Sequence, residues 1–431
     1  MSSATHAFNP ESVPAKRTRG RSSSPGEPPE NSPLSVRSRS EDRNAQSRRA
    51  RDEVRMPSYL NQTPFEVKEK FEELEWMQRK RLLDGHQDPG PSSRWAREQA
   101  FEAKLRNRYM NVEPWANNRI HLKVPPDCCD YINASPIAVQ SSKTKETTRY
   151  IATQGPKQGQ FNHIWRMIWQ ETSDPAVIVM LTQTSEAGRD KCFQYFPEDF
   201  DNDTLTYDGE DDFGDGFVAT VRLLESSADS SSRSTIRKLV LSVGDESKTV
   251  WHLLFAGWPD FSIPEGEDRA ALVELIKLSE QRNSTSTNPR IVHCSAGVGR
   301  SGTFITLDHL LREMEEGSLV EPPSTPPPDT DVVFETVNHL REQRMTMVQS
   351  EAQLNFIYQL LNEWWAKRYN VTTSAANASA ALIMPSLVEG DDDTMAESIA
   401  IEEDEQNTPE WKESSGPRSS SADDRLPEAG A

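Results

Sequence analysis

The stretch Ile291-Val292-His293-Cys294-Ser295-Ala296-Gly297-Val298-Gly299-Arg300-Ser301-Gly302 constrains this chain more than any other. It opens on a short apolar run, passes a His-Cys pair and continues into a glycine-rich loop closed by Arg300. Beyond it Phe304, Leu307, Leu311 and Met314 fall three or four residues apart, the apolar stripe of a helix. The order is therefore strand, loop, helix. Gly297, Gly299 and Gly302 allow conformations that a Cβ resists, so the loop's N–H groups are free to turn inward. The helix N-terminus adds its partial positive charge. The combination predicts a cradle for a dianion, with Cys294 at the near lip and Arg300 at the far one. Thiols in such a field ionise more readily than free ones, and a guanidinium offers a planar fork to two phosphate oxygens. A thiolate facing a bound phosphate implies in-line attack on phosphorus and a phosphocysteine intermediate. A buried structural cysteine beside a glycine turn would not require this strand-loop-helix setting.

The rest of the chain sets bounds. Its 431 residues admit two or three domains by length, but only 35% are hydrophobic, so a good part of the chain lies outside any core. A net charge of -20 argues against nucleic acid as a partner. Cys128, Cys129, Cys192 and Cys294 show no CxxC or His-rich spacing, so neither a zinc site nor a disulfide framework is expected. A reactive thiol suits a reducing compartment. No apolar run is long enough to span a bilayer, and the polar N-terminus lacks a signal-peptide core. The expectation is a soluble cytoplasmic protein with no membrane contact. The basic run from Lys16 to Arg21 reads as a solvated tail or as a nuclear address.

Residues 1–57, rich in Ser, Arg and Pro, and residues 371–431, which turn acidic, read as disordered tails around one domain over 58–370. Within it residues 65–83 and 92–104 read as helices, the first with Phe65, Val67, Phe71, Leu74, Met77 and Leu82 on one face. Residues 175–181 form a near-continuous β-branched run, as for a strand buried on both faces. Residues 217–224 and 236–243 alternate like paired strands, with the Ser-rich 226–234 as a loop or insertion. Residues 198–215 read as an acidic surface loop without EF-hand spacing. The Pro-rich 322–328 reads as an extended loop, and 331–342 and 353–369 as helices.

A second chemical motif, Trp258-Pro259-Asp260-Phe261, follows the strand-like residues 250–255. Expelling a phenolate or alkoxide costs less when a proton arrives as the P–O bond breaks. Asp260 supplies that acid, on a loop that Pro259 stiffens and Trp258 anchors.

Cys294 and Arg300 in Cys-x5-Arg spacing, with His293 before and Ser301 after, are similar to the signature of the protein tyrosine phosphatases. The closer resemblance is to the tyrosine-specific, non-receptor members, and it covers nearly all of 58–370. It implies an α/β fold, a twisted mixed β-sheet flanked by helices on both sides. It implies hydrolysis of phosphotyrosine in proteins, in intracellular signal transduction, by a monomer with no metal or organic cofactor. Cys294 would attack phosphorus, and Arg300 would bind the phosphoryl oxygens with the loop residues Ser295, Ala296, Gly297, Val298 and Gly299. His293 would hold the loop and tune Cys294. Ser301 would donate its hydroxyl to the departing sulfur. Asp260 would protonate the leaving tyrosine and then act as base, on a loop that closes over substrate.

The same resemblance assigns the remaining positions. Residues 106–112 and 130–135 match the family's N-terminal motifs, in which Tyr109 walls a deep cleft and stacks on the phenyl ring. Phe261 would flank the ring opposite Tyr109. Asn111 would bind the substrate backbone, where many members carry aspartate. Glu186 and Lys191 match a bracing loop, with Glu186 orienting Arg300. Residues 344–353 match the loop in which Gln349 places the attacking water and Gln353 assists. Residues 48–56, basic and then apolar, resemble docking motifs read by MAP kinases, which makes a MAP kinase a candidate partner. Two other readings stand beside this one: a dual-specificity phosphatase, with a shallower cleft, and a phosphotyrosine-binding scaffold.

Overall fold

The computed structural model describes residues 55–90, 92–206, 213–259, 262–320 and 330–370. Both tails, the Pro-rich segment, part of the acidic loop, and Asp260 with Phe261 lie outside the described residues.

The apolar run is the middle of the sheet. All five residues of β3 (Ala176–Met180) are buried. Val177 and Val179 face one core, and Ala176, Ile178 and Met180 the other. A strand covered on both faces needs no polar side, which is why it reads as unbroken hydrophobicity. Parallel to β3 run β9 (Glu246–Phe255) on one side and β10 (Arg290–His293) on the other, and β2 (Thr147–Thr153) continues in parallel beyond β10. Antiparallel strands complete the sheet: β1 (Ala134–Gln140) beside β2, and β8 (Ser234–Val243), β7 (Ala219–Asp229) and β6 (Thr204–Thr206) beyond β9. A separate two-stranded hairpin joins β4 (Ser185–Glu186) to β5 (Arg189–Asp190).

Helices lie on both faces, as expected. Those described are α1 (Pro64–Gln87), the short α2 (Phe101–Leu105), α3 (Phe161–Glu171), α4 (Glu267–Arg282), α5 (Gly299–Glu315), α6 (Val332–Gln343) and α7 (Glu351–Tyr369). The core beneath α3 gathers Ile164, Trp165 and Ile168; the opposite core gathers the buried faces of α4, α5, α6 and α7. Local chemistry sets the helix starts. Thr63 and Glu66 form a reciprocal capping box ahead of Pro64. The Asp331 carboxylate accepts from the Val333 and Phe334 amides at 2.9 and 3.1 Å.

Three expectations are corrected. Residues 226–234 are mostly strand: β7 and β8 continue as a hairpin to a tight turn after Asp229. Its outer arm stands in solvent, so neither face needs apolar residues and the serine-rich composition imitates a loop. The helix expected over 92–104 is only α2. Residues 92–100 run irregularly because Trp95 is drawn in against Trp115, 5.2 Å between ring centroids, and lies beneath the Arg81 and Arg94 guanidiniums. Phe65 does not join the buried face of α1; it is 67% exposed.

All four parallel strands end at one edge of the sheet, the place where α/β sheets collect their sites. The opposite end of β10 is locked by a buried ion pair. Arg290 and Asp308, both nearly inaccessible, bond each other. The Tyr150 hydroxyl donates to Asp308 at 2.7 Å, and Arg290 donates to Ser279 Oγ at 2.7 Å. Asp308→Ala would leave the Arg290 charge buried and unpaired. We expect a loss of about 3–5 kcal/mol in urea unfolding, whereas Arg269→Ala, at a more exposed pair with Glu363, should cost less than about 1 kcal/mol.

Candidate active site

β10 delivers Cys294 to this edge, and the next residues wrap round its sulfur. Cys294 is 5% exposed, and its Sγ accepts from the Gly297 amide at 3.3 Å and from the Ser301 hydroxyl at 3.5 Å. Gly297 sits at φ +73°, and a Cβ there would fall 2.1 Å from the Thr153 carbonyl oxygen. Glycine is required twice over, for conformation and for space. Gly299 and Gly302 do not share that reason, since neither has a positive φ. A Cβ on Gly302 would fall 2.5 Å from the Val348 nitrogen, and one on Gly299 about 3 Å from the Gln353 amide. These two glycines let α5 lie against the 344–353 segment.

The loop is held from behind by Arg344, fully buried. Its Nε donates to the Gly297 carbonyl at 2.9 Å, and Nη2 donates to the Ala296 carbonyl at 3.1 Å and to Asn133 Oδ1 at 2.7 Å. In a trans peptide the C=O and N–H point opposite ways. With the Ala296 carbonyl drawn outward, the Gly297 N–H of the same peptide unit points inward to Cys294. Burial pushes the Arg344 guanidinium down to about 10, so it stays charged at neutral pH.

Arg300 is gripped by Glu186 through two parallel bonds of 2.7 Å, and Nη1 also donates to the Leu181 carbonyl at 3.0 Å. Glu186 further accepts from the Thr182 hydroxyl and the Gln183 amide. Burial alone would raise its carboxyl; the bonds and charge of Arg300 outweigh that and hold it below the usual range. Lys191 gives its carbonyl to the Ser295 hydroxyl at 3.0 Å. That uses the serine's proton, so the Tyr109 hydroxyl donates to Ser295 Oγ at 2.9 Å. Tyr109 is 36% exposed and stands at the rim of the loop. Arg108 anchors it, donating to the Gly155 and Pro156 carbonyls at 3.1 and 2.7 Å. Asn111 is exposed two residues on.

Gln349 and Gln353 meet at the start of α5: the Gln349 amide donates to Gln353 Oε1 at 2.9 Å, and both side chains face Gly299. Trp258 is buried and donates from Nε1 to the Ser262 carbonyl at 2.9 Å, tying together the two sides of the segment that contains Asp260 and Phe261, which lie outside the described residues. Ala296, Val298 and Gly299 complete the turn of the loop.

His293 is buried behind the loop. Its Nδ1 lies 3.3 Å from the Cys294 carbonyl and its Nε2 2.7 Å from the Tyr195 hydroxyl. Among the described residues no group of three or more His, Cys, Asp or Glu side chains could hold a metal ion. The sequence reading missed Arg344, Asn133, Tyr195 and His252 as parts of the site. Arg344 and Asn133 lay inside motifs already singled out, but nothing in the chain ties Tyr195 or His252 to the loop.

The buried histidines give the protein a pH dependence. Burial pushes His293 down to about 4 and His252 well below its ordinary value. Between about pH 6.5 and 4 the unfolded chain binds protons that the folded one refuses. Their stability is therefore intact above pH 6.5 and falls as pH drops. Each histidine contributes a slope of up to about 1.4 kcal/mol per pH unit. Urea unfolding at pH 7, 6 and 5 should show the decline, and His252→Gln should flatten it.

The sequence model of the family described as protein-tyrosine phosphatase matches residues 103–363. Among relatives, tyrosine-protein phosphatase 1 of Saccharomyces cerevisiae is 34% identical over 323 residues, covering 70% of this chain and 95% of that protein. Tyrosine-protein phosphatase 2 of Schizosaccharomyces pombe is 34% identical over 294 residues, 68% of this chain and 38% of that protein. The human phosphatidylinositol phosphatase PTPRQ is 37% identical over 295 residues, 67% of this chain but only 11% of that protein. The chain thus spans about a tenth of the human relative and well under half of the fission-yeast one. The match to the family over most of the described fold, with the yeast enzyme covered almost end to end, identifies the chain as a member of the protein-tyrosine phosphatase family.

Proposed function

We propose that the protein hydrolyses phosphotyrosine in other proteins through a phosphocysteine intermediate. The observation that carries this reading is the sulfur of Cys294 under the inward Gly297 N–H, beside an Arg300 fixed by Glu186. Donors set before the reaction need no reorganisation as charge develops on the phosphoryl oxygens.

In the first step Cys294 Sγ forms a bond to phosphorus while the P–O bond to tyrosine breaks, and Asp260 gives its proton to the leaving oxygen. In the second, water held by Gln349 and Gln353 attacks phosphorus, its proton passes to Asp260, and the S–P electron pair returns to sulfur, steadied by the Ser301 hydroxyl. Ser295, Ala296, Gly297, Val298 and Gly299 line the phosphoryl group with Arg300. Tyr109 and Phe261 hold the ring, Asn111 the peptide, and His293, Trp258, Glu186 and Lys191 support the loops.

The name of the human relative points to a second substrate class, phosphoinositides. Tyr109 at the rim favours an aryl ester, because its ring can stack on the phenyl group of phosphotyrosine. The test is kcat/KM on a phosphotyrosyl peptide, a phosphothreonyl peptide and a soluble phosphoinositide. The phosphotyrosyl peptide should lead by about a hundredfold. Comparable rates on phosphothreonine would make it a dual-specificity enzyme, and comparable rates on the phosphoinositide a lipid phosphatase. Tight phosphotyrosine binding with no turnover would make it a scaffold. Cys294→Ser should lower kcat by about 10⁴-fold or more.

A MAP kinase is the candidate protein substrate, on the strength of residues 48–56. Residues 48–54 lie outside the described residues, and Met56 already packs on the helical core, its Sδ accepting from Asn362 at 3.2 Å. A kinase groove would engage the basic residues and Val54, or first draw Met56 away. Asp260→Ala should retain phosphorylated substrates that vanadate releases. Recovery of a tyrosine-phosphorylated MAP kinase, lost when residues 48–54 are deleted, would support the docking reading; substrates unchanged by that deletion would remove it.

A further inference from the structure

Behind His293 lie two buried polar groups, Tyr195 and His252, that the reaction above does not use. His252 lies on β9 and is fully buried; its Nε2 is 3.2 Å from the Tyr195 hydroxyl, which is 2.7 Å from His293 Nε2. We infer that His252 is a positioning residue for this site: through Tyr195 it fixes the His293 imidazole, and through that the peptide unit following Cys294.

The direction of every bond in the chain is determined. The Cys294 carbonyl only accepts, so His293 Nδ1 must carry the proton at their 3.3 Å contact. A neutral imidazole has one N–H, so His293 Nε2 is an acceptor. Tyr195 must then donate to it, which leaves the tyrosine oxygen to accept from His252 Nε2. The proton on His252 is thereby on Nε2, and its Nδ1 is a bare lone pair. That atom is buried with no hydrogen-bond partner among the described residues.

Its surroundings favour the same form. Arg237 on β8 is the direct cross-strand neighbour of His252, so both side chains point to one face. Both pack on Phe196, whose ring centroid lies 4.2 Å from that of His252 and 4.9 Å from the Arg237 guanidinium. A cation there opposes a proton on Nδ1. The other ionisable groups that act on the chain are Cys192 beside Tyr195, Arg108 towards His293, and Glu198 towards Arg237. With the Cys294 carbonyl held towards His293, the N–H of the same peptide unit, that of Ser295, points the opposite way. His252 thus fixes one more N–H of the cradle, from the strand that leads into the loop of Trp258.

This inference rests on the phosphatase reading for its purpose but not for its test. In the full chain, alkylation of Cys294 by iodoacetate is followed between pH 5.5 and 7.5, beside kcat/KM for p-nitrophenyl phosphate. His252→Phe keeps a ring and removes the donor. It should slow alkylation at pH 6 by about three- to tenfold, the range of one hydrogen bond, and move the acidic limb of kcat/KM to higher pH. His252→Gln keeps a donor near Nε2 and should stay within about twofold of wild type. Tyr195→Phe should match His252→Phe, and the double variant should lose no more than either single one. Wild-type alkylation in His252→Phe, or losses that multiply in the double variant, would overturn the inference. If His252→Phe does not fold, adding His252→Gln to Tyr195→Phe decides: no further change supports the relay, and a further loss overturns it. The expected alkylation pattern with no phosphoester hydrolysis would leave the positioning role standing and remove the proposed activity.

Discussion

The geometry of the site depends on one buried cation. Arg344 draws the carbonyls of Ala296 and Gly297 to the back of the loop. Peptide planarity then turns N–H groups towards Cys294. A loop of small residues has few side chains of its own to keep its donors pointed at one place. The cost of burying the guanidinium is offset by four acceptors, the carbonyls of Ala296 and Gly297 in the loop and the side chains of Asn133 and Ser135 at the start of β1. The loop's shape is thus set by residues distant in sequence, and the missing Cβ of Gly297 lets it lie against Thr153.

That arrangement is possible because the parallel strands end together. β2 brings the wall on which Gly297 rests, β10 brings Cys294, and β3 leads to Leu181 and Glu186, which hold Arg300. β9 leads to Trp258 and carries His252 beneath the surface. The loop that carries Cys294 and Arg300 and the groups that brace it therefore hang from neighbouring strands of one sheet. The antiparallel strands and the helices on each face exclude water from the polar contacts behind the loop, where a hydrogen bond holds a side chain more firmly than it would in solvent.

Much of this was legible in the sequence, for local reasons. The strand, loop and helix around Cys294 follow from glycines and an apolar stripe within a few residues of one another. β3 follows from its unbroken apolar run. The pairing of Glu186 with Arg300 was expected only from the resemblance. What stayed hidden depends on distant partners. An arginine such as Arg344 looks like any surface charge until Gly297, far upstream, accepts from it. Tyr195, in Cys-Phe-Gln-Tyr-Phe, reads as ordinary core, and its bonds to His252 and His293 join three separate segments. The polar arm of β7 was misread because a strand exposed on both faces has no alternation to detect. The roles of Gly299 and Gly302 were misread because sequence cannot distinguish a glycine needed for its φ from one needed for its size.

The central claim is that the sulfur of Cys294 takes the phosphoryl group. It is tested most directly by mixing the full-length protein with a phosphotyrosyl peptide and quenching in acid within milliseconds, with mapping of any phosphoryl adduct by peptide mass. The account predicts an adduct on the peptide containing Cys294 that forms and decays at the rate of turnover, accumulates in Gln349→Ala, and is absent from Cys294→Ser. Steady release of phosphate with no adduct on Cys294, or with the adduct on another residue, would contradict it.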